Sequence, residues 1–140
     1  MKITVSGGLK FSKQLVEICI QLEKLKHQPI MHEEIYKIAE GKGDEFADST
    51  IMTPAEIKKK YNTIKWWDNC IKNSDAILIC NFDRDGIKNH IGGNAFLEMG
   101  SAYVNNKKIF LLNPIPDESY KDEIEAMEPI VINNDLTKII

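Results

Sequence analysis

The chain is 140 residues long, 43% hydrophobic and 28% charged, and its 18 basic and 21 acidic side chains leave a formal net charge of −3. That is the size and composition of one globular domain, residues 1–140, with its own core, which excludes a disordered or fibrous chain. No basic block marks a nucleic-acid polymer as partner, and the longest apolar run, Ala76–Cys80, is far too short to cross a membrane.

From the amino end, Lys2–Ser6 reads as a short buried strand closed by Gly7-Gly8. An N-terminus that enters a strand at once lacks a signal peptide's apolar stretch. Cys19, Cys70 and Cys80 form no CxxC and no metal-ligand spacing, and an odd count of thiols suits a reducing compartment. The expected location is cytoplasmic. From Ser12 to about Lys26, Leu15, Ile18, Cys19, Leu22 and Leu25 recur at helical spacing. Gln28–Met31 is a brief strand candidate weakened by Pro29. Residues 32–53 carry six carboxylates and few large apolar side chains, which predicts a poorly packed loop with one helical turn.

Thr53-Pro54 has the form of a helix start, with Thr53 as N-cap and proline at the first helical position. The pattern predicts one helix to about Asn73, with Ile57, Tyr61, Ile64, Trp67 and Ile71 on one face and Trp66 on the other. Such an outward tryptophan predicts a homo-oligomer, a dimer or tetramer, joined through this helix. There follow a buried strand over Asp75–Phe82, a helix over Asn94–Asn106, a strand over Lys108–Asn113, a helix over Glu118–Met127 and a last strand over Ile130–Ile132. Strands alternating with helices predict an α/β, three-layer Rossmann/flavodoxin-like fold: about five parallel strands with helices on both faces.

Ligands of such sheets bind at the carboxyl ends of the strands. Gly7-Gly8 and Gly92-Gly93 both stand at such ends, just before helices, where bare backbone N–H groups can approach an anion and Lys10 adds charge. Between Lys88 and Lys107 the only Asp, Glu, Lys or Arg is Glu98, on a helix otherwise apolar on nearly every side. A lone carboxylate there is expensive to desolvate unless it faces a partner or a wet cleft. Asp83 and Asp85 lie at the correct strand end to approach Glu98, and His90 adjoins the glycine pair. Asp75 begins its strand and so lies at the end away from the switch point.

Three segments resemble the nucleoside 2-deoxyribosyltransferase-like superfamily, which includes deoxynucleoside-monophosphate N-glycosidases. Gly7-Gly8-Leu9-Lys10 is similar to the family's turn contacting the sugar 5′ group or its phosphate. Ser74-Asp75 followed by Ala76–Ile79 resembles its (A/S/C)D-hydrophobic strand. Gly92 to Ala102, followed by Asn106 to Leu112, resembles its most specific block, a glycine turn, a helix with the glutamate, and a strand. The glycine–glutamate core is also reminiscent of the lysine-decarboxylase-like nucleotide phosphoribohydrolases.

The resemblance implies Glu98 as catalytic nucleophile and Asp75 as supporting carboxylate, with Gly7, Gly8, Lys10, Gly92, Gly93 and Asn94 binding a small-molecule nucleoside or nucleotide. It implies no metal and no redox cofactor. The expected activity is an N-glycosidase or deoxyribosyl transfer. The sequence departs from the family at Gly92, where a polar side chain is usual, and at Val5, where an aromatic is usual. The alternative those departures suggest is a non-catalytic nucleotide-binding or sensing domain of the same fold.

Overall fold

The computed structural model describes residues 1–42 and 53–140. Five short strands run through them: Lys2–Ser6 (β1), Gln28–Ile30 (β2), Ala76–Ile79 (β3), Lys108–Leu111 (β4) and Ile130–Val131 (β5). All pair in parallel, in the order β2-β1-β3-β4-β5. The helices are Ser12–Lys24 (α1), Glu33–Ala39 (α2), Pro54–Lys60 (α3), Thr63–Lys72 (α4), Gly93–Val104 (α5) and Lys121–Ala126 (α6). This is the expected three-layer α/β arrangement of the flavodoxin-like type.

Side chains alternate across each strand, so the sheet has a core on either side. On one side Ile3, Val5, Leu78 and Phe110 pack against Leu15, Ile18 and Leu22 of α1. On the other, Ile77, Ile79, Ile109 and Leu111 pack against Ile71 of α4, Met99 and Ala102 of α5, and Ile124 of α6. β1 breaks this rule. Its second face carries Thr4 and Ser6, both buried, where an interior parallel strand would ordinarily be apolar. Thr4 pairs its hydroxyl with that of Ser74 at 2.8 Å. Ser6 serves the site described below.

Two expectations need correction. Residues 33–39 form the helix α2 rather than one turn in a loop. His32 caps it, Nδ1 accepting from the Glu34 N–H at 3.1 Å, and Ile35 anchors it in the core. The rest of the acidic segment, residues 43–52, lies outside the described residues. The helix expected from Pro54 to Asn73 is instead two. Thr53 and Glu56 form a reciprocal capping box at its start, but Asn62 adopts a left-handed conformation at φ 53° and breaks the run. Past the break the apolar stripe loses its phase. Ile57 and Ile71 are buried, while Ile64 is 56% exposed. Among the described residues, no helix is long and apolar enough to cross a membrane.

Candidate functional site

The chain leaves β1 toward one edge of the sheet and β3 toward the other, and loops that diverge in this way open a crevice above the carboxyl ends of the two strands. A cavity of about 740 Å³ occupies this place. The turn after β1, the start of α5, and α3 and α4 form its walls.

Glu98 lines the cavity from the second turn of α5. Its Oε2 accepts a hydrogen bond from the Ser6 hydroxyl at the end of β1. Burial pushes the carboxyl up to about 7 from an ordinary 4.5, and the Ser6 hydrogen bond only partly offsets that. The polar face of β1 is explained here, since an apolar residue at position 6 would leave the carboxylate without this donor. The Ile3-Thr4-Val5-Ser6 alternation was the sequence signal for Ser6.

A second carboxylate enters from α4. Asp68 lines the same cavity, and its Oδ1 accepts from the Ser101 hydroxyl at 2.5 Å. Ser101 stands three residues after Glu98, hence on the same helix face. Lys72 Nζ lies 2.7 Å from Asp68 Oδ2. The hydrogen bond from Lys72, then that from Ser101, hold the Asp68 carboxyl below its ordinary range. Two carboxylates in one cavity thus sit in opposite environments, one favouring the proton and one the charge. Sequence reading overlooked Asp68, because within a helix next to Lys72 it has the form of a surface i,i+4 pair.

Asp75 is not in this site. The structure places it at the amino end of β3, where Oδ2 accepts from the Lys2 N–H at 2.7 Å and ties β3 to β1. In a strand about 3.3 Å per residue in rise, the two ends are too far apart for one residue to serve both. Asp83 and Asp85 are exposed loop residues. Asp83 accepts from the Asn89 N–H at 2.8 Å, and Asp85 faces Arg84 at 3.5 Å.

Both glycine pairs border the cavity together with Lys10 and Asn94. A Cβ on Gly7 would meet Leu15 Cδ2 at 2.7 Å, so glycine there lets the turn lie against α1. A Cβ on Gly8 would come within 3.1 Å of Arg84 Nη1, which puts that guanidinium beside the β1 turn. Gly93 has open space around it. Lys10, Lys58, Lys65 and Arg84 all reach the cavity, a surplus of positive charge over Glu98 and Asp68 that favours an anionic ligand.

His90 also lines the cavity. Its Nδ1 lies 2.6 Å from Glu118 Oε1, and Glu118 Oε2 accepts from the Ile91 N–H at 3.1 Å. The Tyr120 hydroxyl donates to the Ile91 carbonyl, and its ring stacks on Phe96 at 4.7 Å. Sequence reading missed Glu118, which lies in a different loop 28 residues on. Trp66, expected to face outward, is half-buried and lies edge-on to His32 at 4.6 Å and to Trp67 at 4.9 Å. In comparisons with known proteins, no family model, no curated protein and no solved structure matches the chain.

Proposed function

We propose that this protein is an N-glycosidase or deoxyribosyl-transferring enzyme of the nucleoside 2-deoxyribosyltransferase-like kind, acting on a nucleoside or nucleotide through Glu98. The observation that carries the reading is the Glu98 carboxyl on the cavity wall, hydrogen-bonded by Ser6 at a parallel-sheet switch point. Ser6 holds Oε2 and fixes the carboxylate's orientation, which leaves Oε1 to attack the anomeric carbon. The transition state resembles an oxocarbenium ion. Asp68, held ionised by Lys72 and Ser101, supplies the permanent negative charge that favours positive charge on the sugar. Lys10 and Arg84, beside the bare backbone of Gly7 and Gly8, suit an anionic 5′ group.

Incubation with a panel of ribo- and deoxyribonucleoside monophosphates is expected to release free base. Glu98→Gln should lower the rate at least about 10³-fold, the scale on which loss of a covalent nucleophile is felt. Release at the wild-type rate by that variant would remove Glu98 from the mechanism. Nucleotide binding by calorimetry without release of base would instead establish the non-catalytic binding domain.

The same reading extends to assembly. Ile64 and Leu97 border the cavity and are 56% and 59% exposed, an apolar rim that a second copy would cover. The homo-oligomer expected from Trp66 rests on this rim instead. Sedimentation should give a dimer or tetramer that Leu97→Glu dissociates, and a wild-type monomer at micromolar concentration would overturn it.

A further inference from the structure

The glycosidase reading leaves one requirement unmet, a group that gives a proton to the departing base. Glu98 is committed to the anomeric carbon, and Asp68 is held ionised by Lys72 and Ser101. A third titratable group stands on the cavity wall. His90 is only 24% exposed at its side chain, and its Nδ1 is taken up by Glu118, whose side chain is 7% exposed. Glu118 is itself fixed through its second oxygen by the Ile91 N–H. A carboxylate held on both oxygens sets both the orientation and the tautomer of the imidazole, with the Nδ1 proton directed at Glu118. What remains is Nε2, which among the described residues has no hydrogen-bond partner in the structure.

Nε2 faces the start of α5. A Cβ on Gly92 would sit 3.5 Å from it, in van der Waals contact, so a side chain there would crowd the nitrogen on the cavity side where His90 lines the wall. Gly92 is the N-cap of α5 but offers no capping side chain, where Ser, Asp or Asn would ordinarily stabilise the helix by roughly a few tenths of a kcal/mol over glycine. Helix stability is forgone at a position that borders Nε2.

We infer that His90, oriented by Glu118, is the proton carrier of this site, giving its Nε2 proton to the leaving base and retrieving one from water. The inference rests on the glycosidase reading and adds a residue to it. In the first step Glu98 forms a bond to the anomeric carbon as the C–N bond breaks. The electron pair of that bond stays on the base nitrogen, and the base leaves neutral after taking the proton from imidazolium Nε2. In the second step water attacks the anomeric carbon of the glycosyl ester and neutral Nε2 takes its proton. The C–O bond to Glu98 breaks, the sugar departs with a new hydroxyl, and the Glu98 carboxylate and the imidazolium are restored.

The test compares purine deoxynucleoside monophosphates with their 7-methyl counterparts. The 7-methyl bases carry a fixed positive charge and leave without being protonated. His90→Ala should lower kcat for the ordinary nucleotides by about 10²–10³-fold, the usual worth of a general acid, and for the 7-methyl substrates by less than about fivefold. Free imidazole should restore part of the lost rate. Equal loss on both substrate classes without imidazole rescue would make His90 structural and overturn the inference. Base release from neither class by the wild-type protein would overturn the glycosidase reading itself and the inference with it, an outcome distinct from a failure of His90 alone. Should circular dichroism show His90→Ala unfolded, Glu118→Gln carries the comparison. It keeps the side-chain volume and should show the same selective loss, whereas a uniform loss or none would again count against the dyad.

Discussion

Burial holds the Glu98 carboxyl at about 7 in the folded protein, against an ordinary 4.5. Between those values the folded state binds more protons than the unfolded chain, so ionising Glu98 opposes folding. Its favourable contribution is fully present below pH 4.5 and is lost as pH rises through about 7. Glu98→Gln keeps an acceptor for Ser6 and cannot ionise. It should therefore exceed the wild type in stability by about 3 kcal/mol at pH 8.5, from about 1.4 kcal/mol per pH unit, with little difference at pH 4.5. Urea unfolding of both proteins at the two pH values checks this, and equal midpoints at pH 8.5 would place the carboxylate in solvent. Because the attacking form is the carboxylate, wild-type turnover should rise with pH through about 7 on its acidic limb. Loss of activity together with gain of stability marks a side chain kept for chemistry at the expense of the fold.

The break at Asn62 shows how an element is cut by one backbone choice. Residues 54–73 hold a helical period throughout, and asparagine is tolerated within helices, so periodicity alone ran through position 62. Asparagine is also the residue that enters the left-handed region most readily after glycine, and here it does so at φ 53°. Asn62→Gly should leave stability unchanged or slightly raised. Asn62→Ala should lower it by about 1 kcal/mol, or about 3–4 °C in Tm, since a Cβ is strained in that conformation. Equal Tm values for the Ala and Gly variants would mean that the bend does not depend on this conformation. Functionally, the bend separates α3 from α4, both of which contribute walls to the cavity. Other parts of this region were legible. The Thr53 capping box follows from a Thr-x-x-Glu pattern with proline at the first position, a local signal that needs no tertiary partner.

Across the whole molecule, the loops that follow β3 and β4 are tied together by Asn81, which is 1% exposed just past the end of β3. Its Nδ2 donates to the carbonyls of Asn89, Asn113 and Pro114 at 3.3, 3.0 and 3.1 Å, and its Oδ1 accepts from the Asn113 N–H at 2.9 Å. Asn113 in turn donates to the Asn81 carbonyl at 3.0 Å and accepts from Asn134 at 2.6 Å. This knot joins the loop carrying His90 to the loop that leads to Glu118. Asn81→Ala would leave buried backbone groups unpaired and should cost about 2–3 kcal/mol. Thermal unfolding measures that loss, and a change under about 0.5 kcal/mol would mean that water replaces the amide without penalty.

The sequence by itself determined the alternation of strands and helices, the parallel sheet that follows from it, the two glycine turns and the isolated Glu98. Each of these is a short-range pattern, written in the spacing of apolar residues or in the solvation penalty of one charge on one helix. Only the tertiary structure decided which groups Glu98 and the other cavity residues pair with. Ser6 lies 92 residues from it in the chain, Asp68 is brought near through Ser101 by the packing of α4 on α5, and Glu118 reaches His90 from a loop beyond β4. Asp75 was drawn toward the site by resemblance and is kept from it by strand direction, because a parallel strand presents its first residue at the end opposite the crevice. Hydrogen-bond partners so distant in sequence leave no periodic trace, since their pairing is set by sheet order and helix packing.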